Sequence, residues 1–103
     1  MKIADLRESW SRVNVEGEVI ARPVTREVKT SKSEIVRVAT FELKDGTGRI
    51  WFSAWRNKAE CVNSFERGSR VRVRDACVRK GFGDQLELST RDSTSIEVLP
   101  HKD

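Results

Sequence analysis

The sequence predicts a mostly β domain, a five-stranded Greek-key barrel with one short helix between the third and fourth strands. Three observations lead there. Apolar and polar residues alternate with period two through much of the chain, Asp45-Gly46-Thr47-Gly48 separates two such runs as a tight-turn signal, and the one convincing helical stretch follows the third run.

The first strand is expected over residues 12–21. Val13, Val15, Val19 and Ala21 share one parity, and Asn14, Glu16, Glu18 and Arg22 share the other. Gly17 interrupts the apolar parity and marks a bend through which one strand serves two sides of a barrel. Pro23 and the polar stretch 25–34 read as a strand end followed by a flexible hairpin loop. The second and third strands are expected over 35–44 and 49–55. If Leu43 pairs with Ile50 across the turn, Phe41 faces Phe52 and Ala39 faces Ala54, which places these side chains in one core layer. A helix follows over 57–65, with Asn57 as its cap, Ala59, Val62 and Phe65 as its apolar stripe and Gly68 ending the segment after it. A fourth strand over 69–79, a loop at 80–84 and a fifth strand over 85–90 complete the order, with 96–99 as a candidate terminal extension. Three strands, a helix and two strands is the order of an OB-fold, whose second and third strands carry oligonucleotides in many proteins. An SH3-like barrel has a similar strand count but places no helix there.

A chain of 103 residues is expected to form a single domain over 1–103. With 35% charged and 37% hydrophobic residues it reads as a folded, soluble domain with a heavily solvated exterior. A formal charge of +4 favours polyanionic partners, and Arg70, Arg72, Arg74, Arg79 and Lys80 concentrate the excess in one short stretch, either as a solvated strand face or as phosphate contacts. Cys61 and Cys77 lack the density of a disulfide scaffold and the spacing of a zinc site, which points to a reducing interior. No stretch approaches the length of an apolar membrane span and the N-terminus has no apolar signal region, so the expected location is the cytoplasm, in association with the nucleoid. An enzymatic role is not expected. The one histidine, His101, lies in the tail, no nucleophile, metal or phosphate-loop motif is present, and Asp45 and Asp75 read as turn and bulge residues; no cofactor and no metal is implied.

On the third strand Ile50, Phe52 and Ala54 share one parity, and Trp51, Ser53 and Trp55 share the other. With the first set in the core, the tryptophans stand on the outer face, where the proposed register sets Trp55 opposite Val38 and diagonal to Val36. Rings, Val36 and Val38 together make an apolar binding face. Trp51 and Trp55 lie ~13 Å apart along a strand, a span that stretched single-stranded nucleic acid bridges by stacking a base on each. The alternative for either ring is a structural one, closing the barrel end or packing under a loop. Phe82, between Gly81 and Gly83, is a further stacking candidate or a residue folded back on its hairpin. Arg72, Arg74, Arg79 and Lys80, with Lys29 and Lys32 in the loop between the first two strands, are the candidate backbone contacts.

These residues resemble the archaeal single-stranded DNA-binding proteins and the repeated OB domains of archaeal replication protein A. Ile3-Ala4-Asp5-Leu6, Val13-Asn14-Val15-Glu16-Gly17, Asp45-Gly46-Thr47-Gly48-Arg49-Ile50 and Trp55 carry the resemblance along nearly the whole chain. It implies that Trp55 is the stacking tryptophan at the end of the third strand and that Phe82 is the aromatic of the loop between strands four and five, in a loop one residue longer here. It also exposes a departure. The family often carries a second stacking tryptophan on strand four, and Cys77 stands at that position, so either binding is weaker than in relatives or Trp51 supplies the missing platform. The expected function is sequence-tolerant binding of single-stranded DNA in replication, recombination or repair. The alternatives are RNA binding, or an interaction domain that docks other OB domains or replication and repair proteins.

Overall fold

Alternating segments become strands here because one parity of each finds a shared interior. The computed structural model describes residues 2–81, 83 and 85–100. A 3-10 turn (Ile3–Asp5) precedes β1 (Val13–Lys29), β2 (Ile35–Asp45), β3 (Gly48–Trp55), helix α1 (Asn57–Val62), β4 (Arg70–Lys80), β5 (Leu86–Ser89) and β6 (Ser95–Val98). The register expected for β2 and β3 is the one observed: Leu43 pairs with Ile50, Phe41 with Phe52 and Ala39 with Ala54. All of these side chains are buried. Phe41 stacks on Phe52 with centroids 4.9 Å apart and meets Phe65 edge-on at 5.9 Å, so the segment after the helix closes one end of the core.

The five-stranded barrel is corrected by the sheet itself. Six strands run in the order β1-β2-β3-β5-β4-β6, and the first part of β1 pairs in addition with β4. The stretch expected as a terminal extension is a strand in its own right, held by pairing of Val71 with Val98 and of Val73 with Ile96. Among the described residues β6 has no strand beyond it, so the sheet ends in an edge. The physical cause lies at Asp75, where β4 bulges with a positive φ of 61°. Opposite that bulge the chain leaves β4 after Ser89 and rejoins it at Ser95, splitting one return path into β5 and β6. Thr94 fills the break, its hydroxyl donating to the Asp75 carbonyl at 2.7 Å and accepting from the Arg91 N–H at 2.7 Å.

Two boundaries also move. β1 continues past Pro23 to Lys29, pairing with β2 as far as Ile35, so the polar stretch expected as a loop is mostly a hairpin arm with its turn at 30–34. The ladder shifts between Ala21 and Val24, where Pro23 has no N–H to give, and beyond that point the alternation resumes. Gly17 sits where β1 passes from β4 to β2; a Cβ there would come within 2.7 Å of the Lys44 carbonyl oxygen, so the close approach of the two strands needs glycine. The helix is shorter than expected. Arg56, not Asn57, holds the N-cap position, with φ 57° and no side-chain cap, because the chain turns sharply out of β3 after Trp55.

The β2–β3 turn is built on one carboxylate. Asp45 Oδ1 accepts from the N–H groups of Thr47 at 2.7 Å and Gly48 at 3.1 Å, and Oδ2 accepts from the N–H of Ile3 at 2.9 Å. Burial alone would raise the Asp45 pKa, but the Thr47 hydroxyl and these N–H donors outweigh it and hold the carboxyl below its ordinary value. The unfolded chain therefore binds this proton more tightly. The stability Asp45 contributes is present above the unfolded pKa of about 3.9 and is lost as pH falls through the lowered folded value. Asp45→Asn should destabilise the domain at neutral pH and flatten the decline of unfolding free energy between neutral and acid pH, as read by urea titrations at several pH values. Phe52→Ala, which empties the centre of the core, should cost about 3–5 kcal/mol at any of these pH values.

Candidate functional site

The outer face of the sheet opposite the core is organised in transverse rows, because directly paired residues point to the same side. One row reads Glu42, Trp51, Glu87, Arg79 across β2, β3, β5 and β4. The next reads Val24, Thr40, Ser53, Ser89, Cys77 from β1 to β4. A third reads Arg26, Val38, Trp55 across β1, β2 and β3. Two indole rings thus bracket a valley of small side chains, ~13 Å apart along β3.

The rings differ in how far they project. Trp51 is 41% exposed. Trp55 is half-buried, and its indole N–H is enclosed without a hydrogen-bond partner, as is the Thr40 hydroxyl in the valley. Trp55 is held from behind by its main chain, whose N–H donates to the Thr90 hydroxyl at 2.9 Å. Val36 and Val38, expected as exposed members of an apolar face, are instead 7% and 1% exposed. The reason is the length of β1: Arg26 and Val28 pair opposite Val38 and Val36, so these positions lie inside the sheet between β1 and β3 and not at its rim. Neither valine belongs to the main core cluster, so together with Trp55 they form a second, smaller packed layer outside it.

The structure separates the basic residues that the sequence sets close together. Arg79 lies in the row of Trp51. Lys80 pairs with Leu86 on the opposite parity, at the strand end. Arg72 and Arg74 belong to the half of β4 that pairs with β6, away from β2 and β3. Arg72 is also committed there: its guanidinium donates to Glu16 at 2.7 Å and to Glu97 at 3.1 Å, and the hydrogen bond and charge of Arg72 hold the Glu16 carboxyl below its ordinary value. Lys29 pairs with Ile35 on the side of the arm where Thr25 bonds Asn63 and Arg37 meets Glu60 of α1. Lys32 is in the turn of the arm, and Phe82 lies outside the described residues.

Sequence reasoning missed Arg26, which flanks Trp55 through Val38, and the two glutamates that flank Trp51. The signal for Arg26 was present: Val24, Arg26 and Val28 continue the alternation beyond Pro23. Trp10, 42% exposed, was also missed; it lies beside β4, its carbonyl accepting from the Val78 N–H at 2.7 Å, in a lead-in with no strand pattern to place it. Cys77 shares the outer face with Trp51 but pairs with Ser89, one row over and across β5.

No protein-family model matches the chain. Replication factor A of Methanothermobacter thermautotrophicus is 26% identical over 96 residues, which is 93% of this chain and 12% of that relative. The solution structure of a replication factor A-related protein from Methanobacterium thermoautotrophicum superposes with a TM-score of 0.81 at 26% identity, covering 96% of this chain and 89% of that one. The chain is an OB-fold domain homologous to those of replication protein A. The replication protein A likeness extends, as fold alone, to a replication protein A heterotrimer bound to single-stranded DNA, with a TM-score of 0.80 at 17% identity over 98% of this chain and 25% of that one. This replication protein A-like domain therefore spans about an eighth of the curated relative it matches.

The unequal burial of the two rings gives a stability prediction. Trp51→Ala should leave thermal unfolding nearly unchanged, whereas Trp55→Ala, which uncovers Val38, should cost about 1–2 kcal/mol. Calorimetry of the two variants checks the order.

Proposed function

We propose that this domain binds single-stranded DNA on the outer face of β2, β3 and β5, with Trp51 and Trp55 as base-stacking platforms and the backbone held by cations at the ends of their rows. The observation that carries the reading is the pair of rows: Arg26 ends the row of Trp55 on one side of the face, and Arg79 ends the row of Trp51 on the other. Neither arginine has an ion-pair partner among the described residues, in contrast to Arg72. A strand crossing from one row to the other lays a base on each ring and a phosphate near each guanidinium. The row between carries no aromatic ring, and its serines, Ser53 and Ser89, are buried, so the intervening nucleotides pass over a closed floor. Stacking on indole is indifferent to base identity, since every base has a π face, and is worth about 1–3 kcal/mol per base.

Lys80 stands next to Arg79 in the chain, and Phe82 joins the reading through the family resemblance. The names of the relatives support a role in replication, and the same single-strand binding would serve recombination or repair; proteins of those processes, or further OB domains, are the partners this reading implies. The hairpin arm carries Arg26 on the side of Trp55, with Lys32 in its turn, and gives the ligand a second wall beside that ring.

Titration with an unstructured oligodeoxynucleotide at low salt should quench tryptophan emission, and Trp51→Ala should weaken binding by about 1–3 kcal/mol. Arg26→Ala and Arg79→Ala should each lower the slope of log affinity against log salt by ~0.7, the contribution of one phosphate on a single strand, while Arg72→Ala leaves it unchanged. Absence of quenching from a folded protein would return this face to a protein-interaction role, and tighter binding of the matching oligoribonucleotide would make RNA the ligand.

A further inference from the structure

Trp51 is not a bare platform. Its register neighbours on both sides are glutamates, Glu42 on β2 and Glu87 on β5, an arrangement that weakens a phosphate contact and so needs another use. The two differ in situation. Glu42 is drawn to Arg49, 4.0 Å away, and its side chain is 19% exposed. Glu87 lines a depression together with Thr40, Trp51, Gly81 and Leu86. Its Oε1 accepts the Ser53 hydroxyl at 2.5 Å, which fixes the carboxylate in place. Its Oε2 lies against Gly81, where a Cβ would stand 3.1 Å from it, so the absence of a side chain at residue 81 keeps that oxygen approachable.

A base stacked on Trp51 presents its Watson–Crick edge within the plane of the ring it covers, toward one or other flank. In a single strand that edge is unpaired and available for reading. A fixed carboxylate accepts from the exocyclic amino group of cytosine, and pairing of Glu or Asp with cytosine N4 is an established mode of base readout. Thymine offers the same carboxylate two carbonyl oxygens around a single N–H, and the partial negative charges on those oxygens repel the carboxylate. We propose that Glu87 is a specificity-determining residue that makes the Trp51 end of the face prefer cytosine over thymine. This rests on the single-strand binding proposed above and adds to it a position at which stacking is no longer indifferent to the base. It also gives the Trp51 row a division of labour: Arg79 draws the phosphates beyond β5 while Glu87 meets the base edge.

The test compares oligo-dC and oligo-dT at slightly alkaline pH, by tryptophan quenching, on the intact domain and on three variants whose thermal unfolding is measured in parallel. In Glu87→Gln the side chain can still accept from Ser53, but its amide also donates to the thymine carbonyl. The ratio of dT to dC dissociation constants should therefore fall by about fivefold or more. Glu42→Gln removes the same charge on the other flank and should tighten both ligands alike, leaving the ratio as it was. Gly81→Ala, which presses on Oε2, should move the ratio in the same direction as Glu87→Gln with the charge retained. If both oligonucleotides bind and the ratio is the same in Glu87→Gln as in the parent, or if Glu42→Gln changes it equally, the base readout is overturned while single-strand binding stands. If neither oligonucleotide binds the folded parent, single-strand binding itself is refuted.

Discussion

The register between β2 and β3 is the constraint on which the rest of this domain depends. Side chains on a strand alternate faces, so a slip of β3 by one residue against β2 would send Ile50, Phe52 and Ala54 outward and bring Trp51 and Trp55 into the core beside Phe41 and Leu43. Asp45 holds the register by accepting from Thr47 and Gly48 within the turn. The same carboxylate receives the Ile3 N–H and so ties the N-terminal lead-in to the turn. With that register in place, the interior parity packs Phe41 on Phe52, and the exterior parity sets two indoles on one face. Core and candidate site are the two sides of a single pairing choice.

Charge is distributed by the same geometry. β4 is the most basic strand, yet the bulge at Asp75 divides it: Arg79 faces the tryptophans, while Arg72 is neutralised between Glu16 and Glu97 in the β1–β4–β6 region. A modest net charge of +4 is thereby presented unevenly. The face bearing the rings has its arginines at its two margins and glutamates close to Trp51, an order that places the attraction for a polyanion at the edges and leaves hydrogen-bond acceptors near the bases.

The extra reach of β1 has consequences for both the fold and the site. Because it continues through Pro23 to pair with β2 along the arm, Val36 and Val38 are enclosed and Arg26 arrives beside them. Trp55 then rests on a packed layer, which limits its exposure and restricts its ring, whereas Trp51 lies near the other end of β3 with more of its surface free. A pre-positioned ring loses less freedom when a base stacks on it than a mobile one does.

Local pattern determined what local physics controls. The strand parities, the β2–β3 turn, the core pairs from Leu43–Ile50 to Ala39–Ala54 and the outward side of Trp51 and Trp55 were all legible, because alternation and turn chemistry act within a few residues. The resemblance carried by the lead-in, the first strand and the turn was legible too, and the comparisons with replication protein A relatives agree with it. What only the tertiary structure decided is which segments lie beside one another. The alternation at 96–99 marks a terminal extension, but that it stands apart from β5 as a sixth strand depends on a bulge in β4, to which both pair at a distance in sequence. The separation of Arg72 from Arg79, close neighbours in the chain, depends on β4 having different partners along its two halves. The placing of Glu87 beside Trp51 comes from a parallel pairing between β3 and β5, and such a contact is invisible until the chain has closed around its core.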